Sequence, residues 1–137
     1  MGRKYNNLAV LALASLLMVC GCDVVLHTQT KETPQFVISV TVDPHPVRVG
    51  SKAKLYVTLR RDRRGVTGCR VRMQPVEQGQ IVRPGGEWTE LPEQGTSGIY
   101  SVRKDLFSAP GFWDIHFEVK CLGPEEVITM GFRAVGA

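Results

Sequence analysis

From Gln35 onward, apolar and polar residues alternate with a period of two, the repeat of a strand that turns one face to a core. Phe36, Ile38, Val40 and Val42 share one face of a first predicted strand, which Asp43-Pro44-His45-Pro46 stops. Ala53, Leu55, Val57 and Leu59 alternate with Lys54, Tyr56, Thr58 and Arg60 in a second, and the turn Arg61-Asp62-Arg63-Arg64-Gly65 follows. A third runs from Cys69 to Val76 with Cys69, Val71 and Met73 inward. Gln78 to Trp88 contains Pro84-Gly85-Gly86 and has room for one or two short edge strands. Tyr100, Val102 and Leu106 mark the next strand. Trp113, Ile115, Phe117 and Val119 then alternate with Asp114, His116, Glu118 and Lys120 in the clearest strand of the chain, and Val127 to Val135 forms the last.

No window carries the i, i+3, i+4, i+7 stripe of an amphipathic helix. About seven short strands with polar outer faces in roughly a hundred residues predict an all-β fold, an immunoglobulin-like antiparallel β-sandwich over residues 35–137. An open barrel is the alternative architecture. Tyr100 and Trp113 are large inward side chains that suit the gap of about 10 Å between packed sheets.

The residues before Gln35 follow a different pattern. Arg3 and Lys4 precede an apolar run from Leu8 to Val19, the anatomy of a secretory signal and too short for a comfortable membrane span. Val19-Cys20-Gly21-Cys22 then resembles a bacterial lipobox, with Gly21 before the modified cysteine. Residues 1–21 are expected to leave as a lipoprotein signal peptide, Cys22 to carry the lipid, and residues 22–34 to serve as a lipidated tether stopped by Pro34. Two acyl chains give stable anchoring where one is marginal. Asp23 after the cysteine resembles the signal that retains some lipoproteins in the inner membrane. The expected location is therefore the bacterial cell envelope, with the domain on the extracytoplasmic side and the periplasmic face of the inner membrane favoured.

Charge changes meaning once the signal is removed. The full chain carries 17 Lys and Arg against 13 Asp and Glu, a formal net charge of +4. Without Arg3 and Lys4 the mature balance is 15 to 13, which gives no reason to expect nucleic acid as a partner. The remaining charge is uneven. Nine basic residues and a single acid lie between Arg48 and Arg72, whereas from Glu77 onward nine acids face five bases.

Cys69 and Cys121 form an even pair in an oxidising compartment, and a disulfide is expected. In the sandwich order the third and sixth strands are antiparallel neighbours, which brings the start of one, Cys69, to the end of the other, Cys121. The same order places the chain entry, the turn Arg60-Arg61-Asp62-Arg63-Arg64 after the second strand and the turn after the sixth at one end. Arg60, Arg61, Arg63 and Arg64 are accordingly expected to contact the membrane or a partner beside the tether.

Pro46-Val47-Arg48-Val49-Gly50, Gly65 with Gly68, Gly98-Ile99-Tyr100, and Leu106 through Gly111-Phe112-Trp113-Asp114-Ile115 together resemble the YtkA-like family. That resemblance spans about Gln35 to Val135. It implies an immunoglobulin-like domain of exported bacterial proteins, related to the FixH proteins associated with copper oxidase assembly, and so raises copper as a partner. Many members carry Met and His after the third strand. Here the segment is Met73-Gln74-Pro75-Val76-Glu77-Gln78-Gly79-Gln80, with one Met and no His. His45, Met73, His116 and Met130 are the remaining weak candidates for a metal, since thioether and imidazole suit copper, but none has a second ligand at metal-site spacing.

No nucleophile elbow, phosphate loop or H-E-x-x-H motif occurs. Enzyme activity and a resident cofactor are not expected. The sequence points to a non-catalytic, membrane-anchored binding or accessory module for another cell-envelope protein, with copper binding or copper-oxidase assembly as the alternative.

Overall fold

The computed structural model describes residues 28–80 and 86–136. The expected signal peptide, the Cys22 lipidation site and Asp23 lie outside them. Among the described residues ten strands build two sheets. One holds β1 (Thr28–Glu32), β2 (Val37–Asp43), β4 (Lys52–Arg61), β5 (Arg64–Gly65) and β8 (Ile99–Asp105). The other holds β3 (Val47–Arg48), β6 (Arg70–Glu77), β7 (Thr89–Glu90), β9 (Gly111–Lys120) and β10 (Glu126–Val135).

In the first sheet β4 is central, with β2 on one side and both β8 and β5 on the other. In the second the order is β3-β10-β9-β6-β7, and β3 pairs in parallel with the end of β10. Every other pairing is antiparallel. The six long strands β2, β4, β6, β8, β9 and β10 are those read from the alternation, and β1 with the two-residue pairings β3, β5 and β7 brings the number to ten.

The period-two pattern is realised as side-chain burial. Ile38, Val40 and Val42 from β2, Leu55, Val57 and Leu59 from β4, and Ile115, Phe117 and Val119 from β9 fill the space between the sheets. Tyr100, Met73 and Met130 join them there. Phe107 packs against Trp113 with ring centroids 5.3 Å apart.

Two expectations change at the N-terminal side. Thr28–Glu32 is a strand paired with β2 and not part of a free tether, so the sandwich includes residues before Gln35. Its residues carry no apolar alternation because β1 is an edge strand whose side chains are nearly all exposed. Threonine at alternate positions supplies the strand preference, and Thr28 and Thr30 hydroxyls bond across to Thr41 and Ser39. The Gln29 and Lys31 side chains donate to the carbonyls of Gly131 and Thr129, stitching this edge to β10 of the other sheet.

The second change follows from the first. β1 runs antiparallel to β2, with Thr28 opposite Thr41 and Glu32 opposite Val37. Val37 lies opposite Arg60. The chain therefore enters the domain toward the end away from the arginine turn. Thr41 is level with Tyr56, five residues short of Arg61, which at about 3.3 Å per residue sets Thr28 roughly 17 Å back from that turn. Residues 33–36 do lie at the arginine end, where the Gln35 carbonyl accepts Arg61 Nε, and the expected tether before Thr28 lies outside the described residues.

Candidate functional site

Five connections converge at the end that carries the arginine turn: residues 33–36, the β4–β5 turn, the crossover 66–69, residues 91–98, and the β9–β10 turn 121–125. The crossover is where the chain leaves the first sheet for the second. Gly65 and Gly98 meet there end to end beside β4. A Cβ on Gly98 would stand 2.8 Å from the Gly65 Cα, and Gly98 also has φ +74°, so both space and backbone demand glycine. Leu59 bonds to both sides of this junction, its N–H to Gly98 and its carbonyl to Val66.

Tyr100 and Glu93 hold the crossover. The buried Tyr100 hydroxyl donates to the Val66 carbonyl at 2.9 Å and accepts the Cys69 N–H at 3.0 Å. Burial raises the Tyr100 pKa, the Cys69 hydrogen bond opposes that rise, and the nearby Glu93 carboxylate adds to it. The Glu93 carboxylate itself accepts the N–H groups of Gly68 at 2.9 Å and Gly98 at 3.1 Å. Immediately beyond, a disulfide joins Cys69 to Cys121 with a Cα separation of 4.3 Å. Arg70 pairs with Lys120 in the β6–β9 ladder, so the bridge extends that ladder by one step, as the strand order predicts.

The bridge fixes the base of the β9–β10 turn, and two further contacts fix its tip. Lys120 Nζ donates to the Gly123 carbonyl. Gln35 Nε2 donates to the Pro124 carbonyl at 2.8 Å, while the Gln35 carbonyl accepts Arg61 Nε at 2.6 Å. Gln35 thus couples the arginine turn to the 121–125 turn. On this braced turn Leu122 is 105% exposed, and no large apolar side chain among the described residues is more open.

The arginine turn is a two-residue hairpin connection with φ of 51° at Asp62 and 64° at Arg63. Such turns ordinarily place Asn and Gly there because both central residues need positive φ. Arg60, Arg61, Arg63 and Arg64 are all exposed. The ion pairs among the described residues lie elsewhere, between Arg70 and both Glu118 and Glu125 and between Arg72 and Glu118. An open recess of about 470 Å³ lies beside the turn, lined by Arg61, Asp62, Arg64, Gly65 and Val66.

The weak metal candidates do not converge. Met73 and Met130 are buried between the sheets. His116 lies on the opposite face of its sheet, where Nδ1 bonds the Thr129 hydroxyl at 2.7 Å. His45 sits at the other end, in a turn whose Asp43–Pro44 and His45–Pro46 bonds are cis. His116 does face outward as the alternation implies, yet it is only 9% exposed. It stands opposite Gln74 on one side and Thr129 on the other, next to Glu118, which Arg72 covers while stacking 5.3 Å from the Trp88 ring. No group of three or more His, Cys, Asp or Glu among the described residues is arranged to hold a metal ion.

At the end of the sandwich away from the arginines, a cleft of about 650 Å³ opens between the second half of β6 and residues 104–108. Glu77, Glu87 and Asp105 make it acidic, and the Trp113 indole on its floor is committed to the Ala109 carbonyl at 2.9 Å. Lys104 reaches across its mouth to the Thr89 hydroxyl.

Sequence reading missed Tyr100 as a polar clamp, Glu93, and Leu122. The signal for Leu122 was present: an aliphatic residue inside Cys121-Leu122-Gly123-Pro124, between two strands, has no sheet face to join.

No family model matches the chain, and no curated protein matches it in sequence. Its fold is similar to the PmoD soluble domain from Methylocystis sp. (Rockwell), with TM-score 0.53 and 15% identity over 77% of this chain and 96% of that one. More distant are BhCBM56, at TM-score 0.46 and 11% identity over 76% of this chain and 97% of that one, and a DUF4785 family protein from Legionella pneumophila. The latter has TM-score 0.44 and 16% identity over 72% of this chain and 28% of that one. At such identities the likeness is one of fold. The resemblance to the YtkA-like family rests on the residues quoted for it.

Proposed function

We propose that this chain is a non-catalytic lipoprotein of the bacterial cell envelope, anchored through Cys22, whose sandwich is an accessory module for another envelope protein. The Cys69–Cys121 disulfide carries the reading. Such bridges persist in oxidising compartments and are rare in the cytosol, so it agrees with export directed by residues 1–21. The YtkA-like resemblance, itself to exported proteins, points the same way.

The chemistry of the described residues favours binding over catalysis. The arginine end presents charge and one apolar side chain on a rigid frame, with no nucleophile and base among the groups assembled there. Copper accessory function draws no support from the candidates named for it, because Met73 and Met130 occupy the core while His116 faces away from both.

The lipoprotein reading is tested by feeding cells an alkyne-tagged fatty acid. The full chain should incorporate the label and fractionate with membranes, and Cys22→Ser should abolish both. Label retained in the Cys22→Ser chain, or absent from the native one, overturns it.

A further inference from the structure

The accessory-module reading leaves the contact surface and the partner's chemistry open, and the following deepens it. We infer that the arginine end, with Leu122 at its tip, docks onto an acidic surface of a protein and not onto the bilayer that holds the anchor.

Three features of the end point to a ligand. Arg60, Arg61, Arg63 and Arg64 stand exposed around the single acid Asp62, and the ion pairs among the described residues are made by others. Unpaired charge of one sign at a loop end selects a partner of the opposite sign and speeds its approach. Leu122 adds a fully exposed aliphatic group on a turn held by the disulfide, the Lys120–Gly123 bond and the Gln35–Pro124 bond. A side chain presented on a braced turn loses little freedom on binding, which is what makes such an anchor effective.

The third feature is backbone cost. Arg63 holds φ 64° and Asp62 φ 51°, the left-handed region that disfavours side chains with a Cβ. Glycine at the second position is the ordinary solution of this turn. An arginine kept there trades stability for a guanidinium at the tip.

Protein is favoured over lipid by residue type. The basic residues of the turn are all arginine and no lysine. A bilayer rewards either cation, whereas the planar guanidinium forks onto carboxylates and is enriched at protein interfaces where lysine is depleted. Aspartate or glutamate side chains of the partner meet Arg61 and Arg64 at the recess that these line with Asp62, Gly65 and Val66, and Leu122 meets an apolar depression of the partner.

The test uses the full-length chain in its source bacterium, with a photo-crosslinking benzoylphenylalanine in place of Leu122 or, as the control at the other end, of Phe112, which is 63% exposed. Illumination at position 122 should yield one discrete protein adduct whose crosslinked peptide is rich in Asp and Glu, and position 112 should not yield it. Arg63→Glu with Arg64→Glu should reduce the adduct by about tenfold or more. Arg63→Gly should also weaken it while raising the melting temperature, so that loss of contact is separated from loss of fold. A lipid adduct, no adduct, an equal adduct from position 112, or one indifferent to charge reversal each overturns the proposal. Cys22→Ser distinguishes the two readings: a protein adduct that persists without the lipid keeps the docking surface even where the fatty-acid label has failed.

Discussion

Replacing Tyr100 with phenylalanine removes one oxygen from the core and releases two backbone groups, which makes it a sharp probe of what holds the arginine end in place. The hydroxyl donates to Val66 and accepts from Cys69, on either side of the crossover between the sheets. An orphaned buried polar group costs about 1 to 3 kcal/mol. Val66 and Cys69 are only half-buried, so water reaches part of what is lost, and the expected destabilisation is about 1 to 2 kcal/mol in total. For a domain of roughly a hundred residues this lowers the melting temperature by about 4 to 16 °C. Urea denaturation with the disulfide intact measures it directly, and an unchanged midpoint would refute the clamp.

The alkaline limb gives a second, independent reading. Burial lifts the Tyr100 pKa above its ordinary value of 10.0, so the folded state holds the phenolic proton more tightly than the unfolded chain. The resulting stabilisation is complete below the unfolded-state pKa and is lost as pH rises through the higher folded-state value. Native protein should therefore lose stability above about pH 10 relative to its own value at pH 8. Tyr100→Phe lacks that component, so the difference between the two proteins should shrink as pH rises. A constant difference from pH 8 to 11 would mean that the hydroxyl is solvated and clamps nothing.

The other predictions concern the same frame. Cys69→Ser with Cys121→Ser opens a loop spanning 52 residues, and in the chain-entropy account lowers unfolding free energy by about 4 kcal/mol, read by denaturation with and without reductant. Gly98→Ala places a methyl group against Gly65 and strains a positive φ, and should cost at least about 2 kcal/mol; a neutral result would deny the close approach. Arg63→Gly should stabilise by about 1 kcal/mol, the opposite sign from an ordinary loss of side chain. Copper titrated into the oxidised protein, followed by mass spectrometry under native conditions, should show no bound ion whose retention requires Met73, Met130 and His116 together.

What was legible in the sequence was whatever the core dictates. Ile38, Val40 and Val42 on β2, or Ile115, Phe117 and Val119 on β9, alternate because one face of each strand is dry, and that alternation fixes strand position and facing at once. The disulfide was legible for the same reason, since register follows from facing. β1 was not, because Thr28–Glu32 buries almost nothing and an edge strand held by Gln29 and Lys31 side chains leaves no hydrophobic signature. The covering of His116 and Glu118 was not legible either, because period two reports which face a residue occupies and says nothing of what long neighbours such as Arg72 lay over it.

The missed strand matters beyond bookkeeping of elements, because it moves the point at which the described chain enters the sandwich. With residues 22–34 taken as a free tether, the arginine turn sat beside the anchor and a membrane was its natural counterpart. With Thr28–Glu32 zipped antiparallel to β2, Thr28 stands roughly 17 Å back from that turn, while Gln35 bonds to Arg61 beside it. Residue type and the exposure of Leu122, and not the place of the anchor, are then what favour a protein counterpart for the four arginines.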